Sequence, residues 1–86
     1  MITGVNTLVP CGGTEYHVQI EDLDRERVLE ARVYVGGRIL FQKRHDYGPL
    51  LEGAASPQEA QERIRGEMER LLALLKAAIE RGRIRG

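Results

Sequence analysis

The sequence predicts an α+β fold: a four-stranded antiparallel β-meander followed by one long C-terminal helix packed on one face (ββββα). Three observations carry this. Apolar residues recur at every second position in TEYHVQIE (14–21) and RVLEARVYV (27–35), the period of a half-buried strand. Gly-Gly pairs at 12–13 and 36–37 interrupt β-rich runs, as hairpin turns do. From Ser56 onward apolar residues recur at steps of three and four, the period of an amphipathic helix.

The first run, GVNTLVP, ends in Pro10, which lacks an amide proton and suits an edge strand or a strand end. After the turn at Gly12-Gly13 the second strand places Tyr16, Val18 and Ile20 on one face. His17, Gln19 and Glu21 fall on the other. DLDRE is a polar connection. In the third strand Leu29, Ala31, Val33 and Val35 share the apolar face, opposite Val28, Glu30, Arg32 and Tyr34.

The hairpin at Gly36-Gly37 admits two registers. A two-residue turn pairs Val33 with Leu40. A three-residue loop ending at Arg38 pairs Val33 with Phe41 and Val35 with Ile39, which puts Ile39 and Phe41 on the apolar face. Turn chemistry favours the first and face patterning the second, because a one-residue slip turns a whole strand over. The bulged, three-residue form is the expectation.

In HDYGPLLEGAA, Leu50 and Leu51 are expected to tuck against the core. SPQE then opens the helix, with Ser56 as N-cap, Pro57 at the first helical position and Glu59 closing a capping box. Ile64, Met68, Leu71, Leu75 and Ala78 form its stripe, widened by Leu72 and Ile79. Glu59 with Arg63 and Arg65 with Glu69 make i,i+4 pairs. The chain thus reads as a single domain over 1–86, with sheet 3–45, linker 46–55 and helix 57–81. Pro57 to Arg81 makes ~37 Å of helix against strands of ~25 Å. The apolar C-terminal part, LLALLKAAI, is therefore expected to overhang the sheet.

Composition narrows the function classes. The 86 residues carry thirteen acidic and thirteen basic side chains, divided evenly between the halves: six of each sign over 1–45 and seven over 46–86. Neither half is a basic arm, so the footprint expected of a nucleic-acid or anionic-lipid binder is missing. Lys43 and Arg44 end a strand, and Arg81, Arg83 and Arg85 end the helix. A basic corner formed from these would be the alternative reading, a nucleic-acid or regulatory binding domain, although the sheet lacks the aromatics of an RNA-binding sheet. Cys11 is the sole cysteine and cannot form an internal disulfide, which with the absence of an apolar leader reads as cytoplasmic. No apolar run approaches the ~20 residues that cross a bilayer.

No constellation reads as catalytic. His17 and His45 match no metal-ligand spacing. Cys11 sits in a glycine-rich turn without an elbow motif, and the glycine pairs lack a phosphate-binding pattern. The expectation is no catalytic residue, no metal and no cofactor. His17, Gln19, Glu21, Arg32 and Tyr34 read first as a solvated sheet face. Their second reading is a recognition surface, since Arg and Tyr are residue types enriched at binding hot spots.

The residues Tyr16, His17, Val18, Gln19, Glu21, Asp22, Gly36, Gly37, Lys43, Arg44 and Tyr47 resemble a pattern found in a group of small bacterial proteins with no assigned activity. Ile20 stands where that pattern usually has Thr. The resemblance implies a shared fold and brings no chemistry with it.

The functional expectation is a small cytosolic, non-catalytic protein–protein interaction module that works as a homodimer, without a nucleic-acid or membrane partner. Leu71, Leu74, Leu75, Ala78 and Ile79 wrap more of the helix than one sheet can cover and are the expected dimer interface. The competing reading folds Leu50 and Leu51 back over Leu74 within one chain.

Overall fold

The computed structural model describes residues 4–84. It holds β1 (Gly4–Cys11), β2 (Thr14–Leu23), β3 (Val28–Val35), β4 (Arg38–Asp46), a 3-10 turn at Gly48–Leu51 and α1 (Pro57–Glu80). The strands form one antiparallel sheet in the order β1-β2-β3-β4, followed by the single helix: the expected ββββα architecture. The strand start expected at residue 3 lies outside the described residues.

Both Gly-Gly pairs close two-residue hairpin turns, Cys11 facing Thr14 and Val35 facing Arg38. Gly36 and Gly37 take φ of 58° and 79°, and Gly12 and Gly13 repeat those values. Left-handed φ at both central residues gives the turn whose twist matches the flanking strands, and glycine adopts it without steric cost.

At the β3–β4 hairpin the three-residue loop is not formed. The tip is the two-residue turn, and the extra residue enters farther along: Tyr34 faces Ile39, but Val33 faces Phe41, so Leu40 bulges. The expected Val33–Phe41 pair therefore forms without the expected Val35–Ile39 pair. Ile39 falls on the face away from the helix and is 44% exposed, which corrects its placement in the core.

The core gathers Val9, Tyr16, Val18, Ile20, Leu29, Ala31 and Val33 from the sheet with Met68, Leu71, Leu75 and Ile79 from α1, closed by Tyr47 and Ile84. Its sheet half consists of the inward positions of the alternation, and its helix half is one stripe at steps of three and four.

Two contacts place the helix on the sheet. Cys11 Sγ lies 3.7 Å from the Ile79 carbonyl at the β1 turn. At the opposite end of the sheet, His45 Nε2 of β4 meets Glu67 Oε2 at 2.5 Å. The helix therefore crosses obliquely from β4 toward β1, with Glu67 to Ile79 over the sheet.

The overhang is at the other end from the one expected. Ile79 and Ile84 are buried, so the C-terminal half of the helix lies on the sheet. The first turns of α1 project instead and are covered by the linker. Arg63 Nη1 donates to the carbonyls of Leu50 and Glu52 at 3.0 and 2.9 Å, while its Nη2 pairs with Glu59 at 2.8 Å. Leu51 packs against the core and Leu50 stays exposed.

The N-cap is as expected: Ser56 Oγ accepts the Glu59 N–H at 3.1 Å. The Glu59 carboxylate reaches one residue further back, accepting the Ala55 N–H at 2.9 Å. That bond and then Arg63 lower the Glu59 pKa. The expected Arg65–Glu69 pair does not form among the described residues. No helix of the described residues is long and apolar enough to cross a membrane.

Candidate functional site: the open face of the sheet

The helix covers one face of the sheet and leaves the other open. Alternation and register together arrange that open face in rows across the strands. One row runs Leu8, His17, Tyr34, Ile39. The next runs Asn6, Gln19, Arg32, Gln42, and the third runs Gly4, Glu21, Glu30, Arg44. All five sequence-predicted face residues, His17, Gln19, Glu21, Arg32 and Tyr34, thus share one surface. His17 is directly opposite Tyr34, and Gln19 is directly opposite Arg32.

The first row is amphipathic. Leu8 is 54% exposed at one end and Ile39 lies exposed at the other. Between them the His17 and Tyr34 rings are 6.2 Å apart at 49°. His17 Nε2–H donates to the Asn6 side-chain oxygen, which fixes the ring against the sheet. Leu8, Glu15, His17, Gln19 and Tyr34, with Gly36 and Gly37, line a shallow depression of about 380 Å³. Alternation alone did not show that Leu8 and Ile39 belong here. The two-residue reading of both Gly-Gly turns would have found them, since it places Leu8 opposite His17 and turns Ile39 outward.

Behind that row lies a charge network on the same face. Glu30 is only 7% exposed although it points away from the helix. Its carboxylate accepts from Arg32 Nη2 at 2.5 Å, from Gln42 Nε2 at 3.3 Å and from Arg44 Nη1 at 3.3 Å, and Arg44 also pairs with Glu26. A buried carboxylate is tolerated only with such saturation by donors. The Tyr34 hydroxyl, and behind it the Glu30 charge, raise the Arg32 pKa, so Arg32 is a fixed cation. The network ties β3 to β4 and to the β2–β3 turn, and holds Arg32 beside Tyr34.

The expected helical interface is mostly used within the chain. Leu71, Leu75 and Ile79 are core residues and Ala78 is half-buried; Leu74 alone of the five stands out, 53% exposed. Leu50 and Leu51 do not cover it, because the linker is clamped at Arg63, about three turns away.

The basic corner does not assemble from the described residues. Arg44 lies level with Gly4, whereas Arg81 and Arg83 follow Ile79, which sits at Cys11. Those levels are separated by ~23 Å along the strands, and Arg44 is already paired with Glu26 and Glu30. Arg85 lies outside the described residues. No group of three or more His, Cys, Asp or Glu that could hold a metal forms among the described residues. No protein-family model, curated protein or solved structure matches the chain.

Proposed function

We propose that this chain is a small, non-catalytic protein–protein interaction module that works as a homodimer, with the open sheet face as its recognition surface. The observation that carries the reading is the row Leu8, His17, Tyr34, Ile39. It pairs two exposed aliphatic side chains with two aromatic rings, on a sheet backed by the charge network around Glu30. Apolar anchors inside a polar rim are the anatomy of a protein interface. The groups able to do chemistry have structural partners: His17 bonds Asn6, His45 bonds Glu67, and Cys11 lies against the Ile79 carbonyl. The lone cysteine is compatible with a cytoplasmic setting.

The test is a paired capture from the native host, using wild type and an Ile39→Glu, Tyr34→Ala variant as baits. Both baits should melt at similar temperatures, because the two side chains lie outside the core. A protein retained by wild type and lost by the variant is the expected result. An identical set of retained proteins contradicts the reading.

A further inference from the structure

We infer that two copies join through β1, edge to edge and antiparallel, into one eight-stranded sheet. The inference rests on the homodimeric reading and names its interface.

The two sheet edges are built differently. The β4 edge bulges at Leu40 and carries Arg38, Lys43, Arg44 and Asp46. Bulges and edge charges are the devices that stop a sheet from pairing with another chain. The β1 edge, GVNTLVPC, has no charged residue and an unbroken register with β2 from Gly4 to Cys11.

Its free backbone groups follow from the turn. A two-residue turn makes Cys11 and Thr14 a hydrogen-bonded pair, so Cys11, Val9, Thr7 and Val5 turn their N–H and C=O toward β2. Gly4, Asn6, Leu8 and Pro10 turn theirs outward. Pro10, which has no N–H to give, falls in the outward set, where it removes nothing from the β1–β2 ladder. Three outward N–H groups and four outward carbonyls then stand unpaired along one edge, an open template for another strand.

A two-fold axis normal to the sheet at Thr7 gives the longest overlap that matches outward groups with outward groups. It sets Asn6 beside the partner's Leu8, Gly4 beside the partner's Pro10, and Val5 beside the partner's Val9. In this register Pro10 accepts from the partner's Gly4 N–H. The Gly4 carbonyl, at the outer end of the overlap, gets no bond in return, so the Asn6–Leu8 pairs carry the full two-bond exchange. Uncharged, β-branched neighbours meet on the helix side, a favourable cross-strand set.

The same axis brings complementary charges together on the helices. Glu67 reaches β4, so the opposite flank of α1, carrying Arg65, Glu69, Leu72, Lys76 and Glu80, looks across β1. Cys11 lies at Ile79, and Asp22, at the other sheet end, borders Ile64 and Met68. Thr7 is therefore level with about Leu72. Rotation about Thr7 sets Glu69 toward the partner's Lys76 and Arg65 toward the partner's Glu80. None of these four side chains makes an ion pair among the described residues of the single chain. The paired sheet also joins two open faces into one recognition surface.

The test combines mass, amide exchange and cross-linking. In wild type at tens of micromolar, the outward amides of Asn6 and Leu8 are expected to exchange as slowly as the inward amides of Val5 and Thr7. Thr7→Cys in a Cys11→Ser background is expected to form a disulfide-linked dimer under mild oxidation, and Leu74→Cys in the same background is not. A dimeric mass with freely exchanging Asn6 and Leu8 amides overturns the edge pairing and leaves the homodimer standing. A monomeric mass by light scattering overturns both.

Discussion

The Tyr47 hydroxyl donates to Asp22 Oδ1 at 2.6 Å, and the Tyr47 N–H donates to the Arg27 carbonyl at 2.9 Å. These two bonds fasten the chain, as it leaves β4, to the end of β2 and to the β2–β3 turn. Arg27 presents its carbonyl from a left-handed φ of 57°, the only positive φ among the described non-glycine residues. Tyr47→Phe removes the hydroxyl and leaves Asp22 unpaired, which is expected to cost ~1–3 kcal/mol in urea melts. An unchanged midpoint would show that the crossing is held by packing alone.

The same tyrosine sets an alkaline limb. Burial first, and then Asp22, raise its pKa well above the ordinary tyrosine value of 10. The protonated form is the one stabilised. Its contribution is therefore complete below pH 10 and is lost as pH rises above it. Tyr47→Phe is expected to flatten the decline in stability above pH 10.

Glu30 supports a second prediction. Its carboxylate is buried on the open face among Arg32, Gln42 and Arg44. Glu30→Ala leaves the half-buried Arg32 without its counter-charge, and a loss of ~2–4 kcal/mol is expected. Arg44→Ala, which removes an exposed partner, is expected to cost under ~1 kcal/mol. Equal losses for both would mean that Glu30 is not the hub of the network.

The acid limb turns on Glu67. Arg70 first, and then His45, lower its pKa to about 2 from an ordinary 4.5, against the opposing effect of burial. Here the ionised form is stabilised, so the contribution is complete above pH 4.5 and disappears as pH falls toward 2. Stability measured between pH 5 and pH 2 is expected to fall by on the order of 2 kcal/mol less in Glu67→Gln than in wild type. Parallel pH profiles would contradict this assignment.

The helix cap gives a smaller, local prediction. Ser56 Oγ is the acceptor for the Glu59 N–H, so Ser56→Ala is expected to cost ~1 kcal/mol. A matching loss is expected in Arg63→Ala, which releases the Leu50 and Glu52 carbonyls.

Much of this fold was legible because two periodicities do not overlap. A period of two marked Tyr16, Val18, Ile20, Leu29, Ala31 and Val33, and a step of three and four marked Met68, Leu71, Leu75 and Ile79. The hairpin at Gly36-Gly37 carried two valid signals that disagreed. Turn chemistry set the tip and face patterning set Val33 against Phe41; the bulge at Leu40 satisfies both, and one-register reasoning had no room for it. The overhang was misplaced because helix and strand lengths fix its extent but not its end. Arg63, reaching back to the linker carbonyls, decides that end through tertiary contacts no local pattern reports. On the open face, alternation supplied the five polar residues. It could not supply Leu8 and Ile39, whose facing depends on the turns, or the burial of Glu30, which depends on donors from two strands.

The central claim is that this chain acts as a homodimer through its uncharged sheet edge and leaves its open face for a partner. Light scattering coupled to gel filtration, on wild type and Leu74→Glu at tens of micromolar, tests it most directly. Leu74 and Glu67 share the helix flank that faces β4, away from β1. Both proteins are therefore predicted to show twice the 9.7 kDa mass of one chain. A wild-type mass of one chain contradicts the dimer, and a dimer split by Leu74→Glu contradicts its placement on β1.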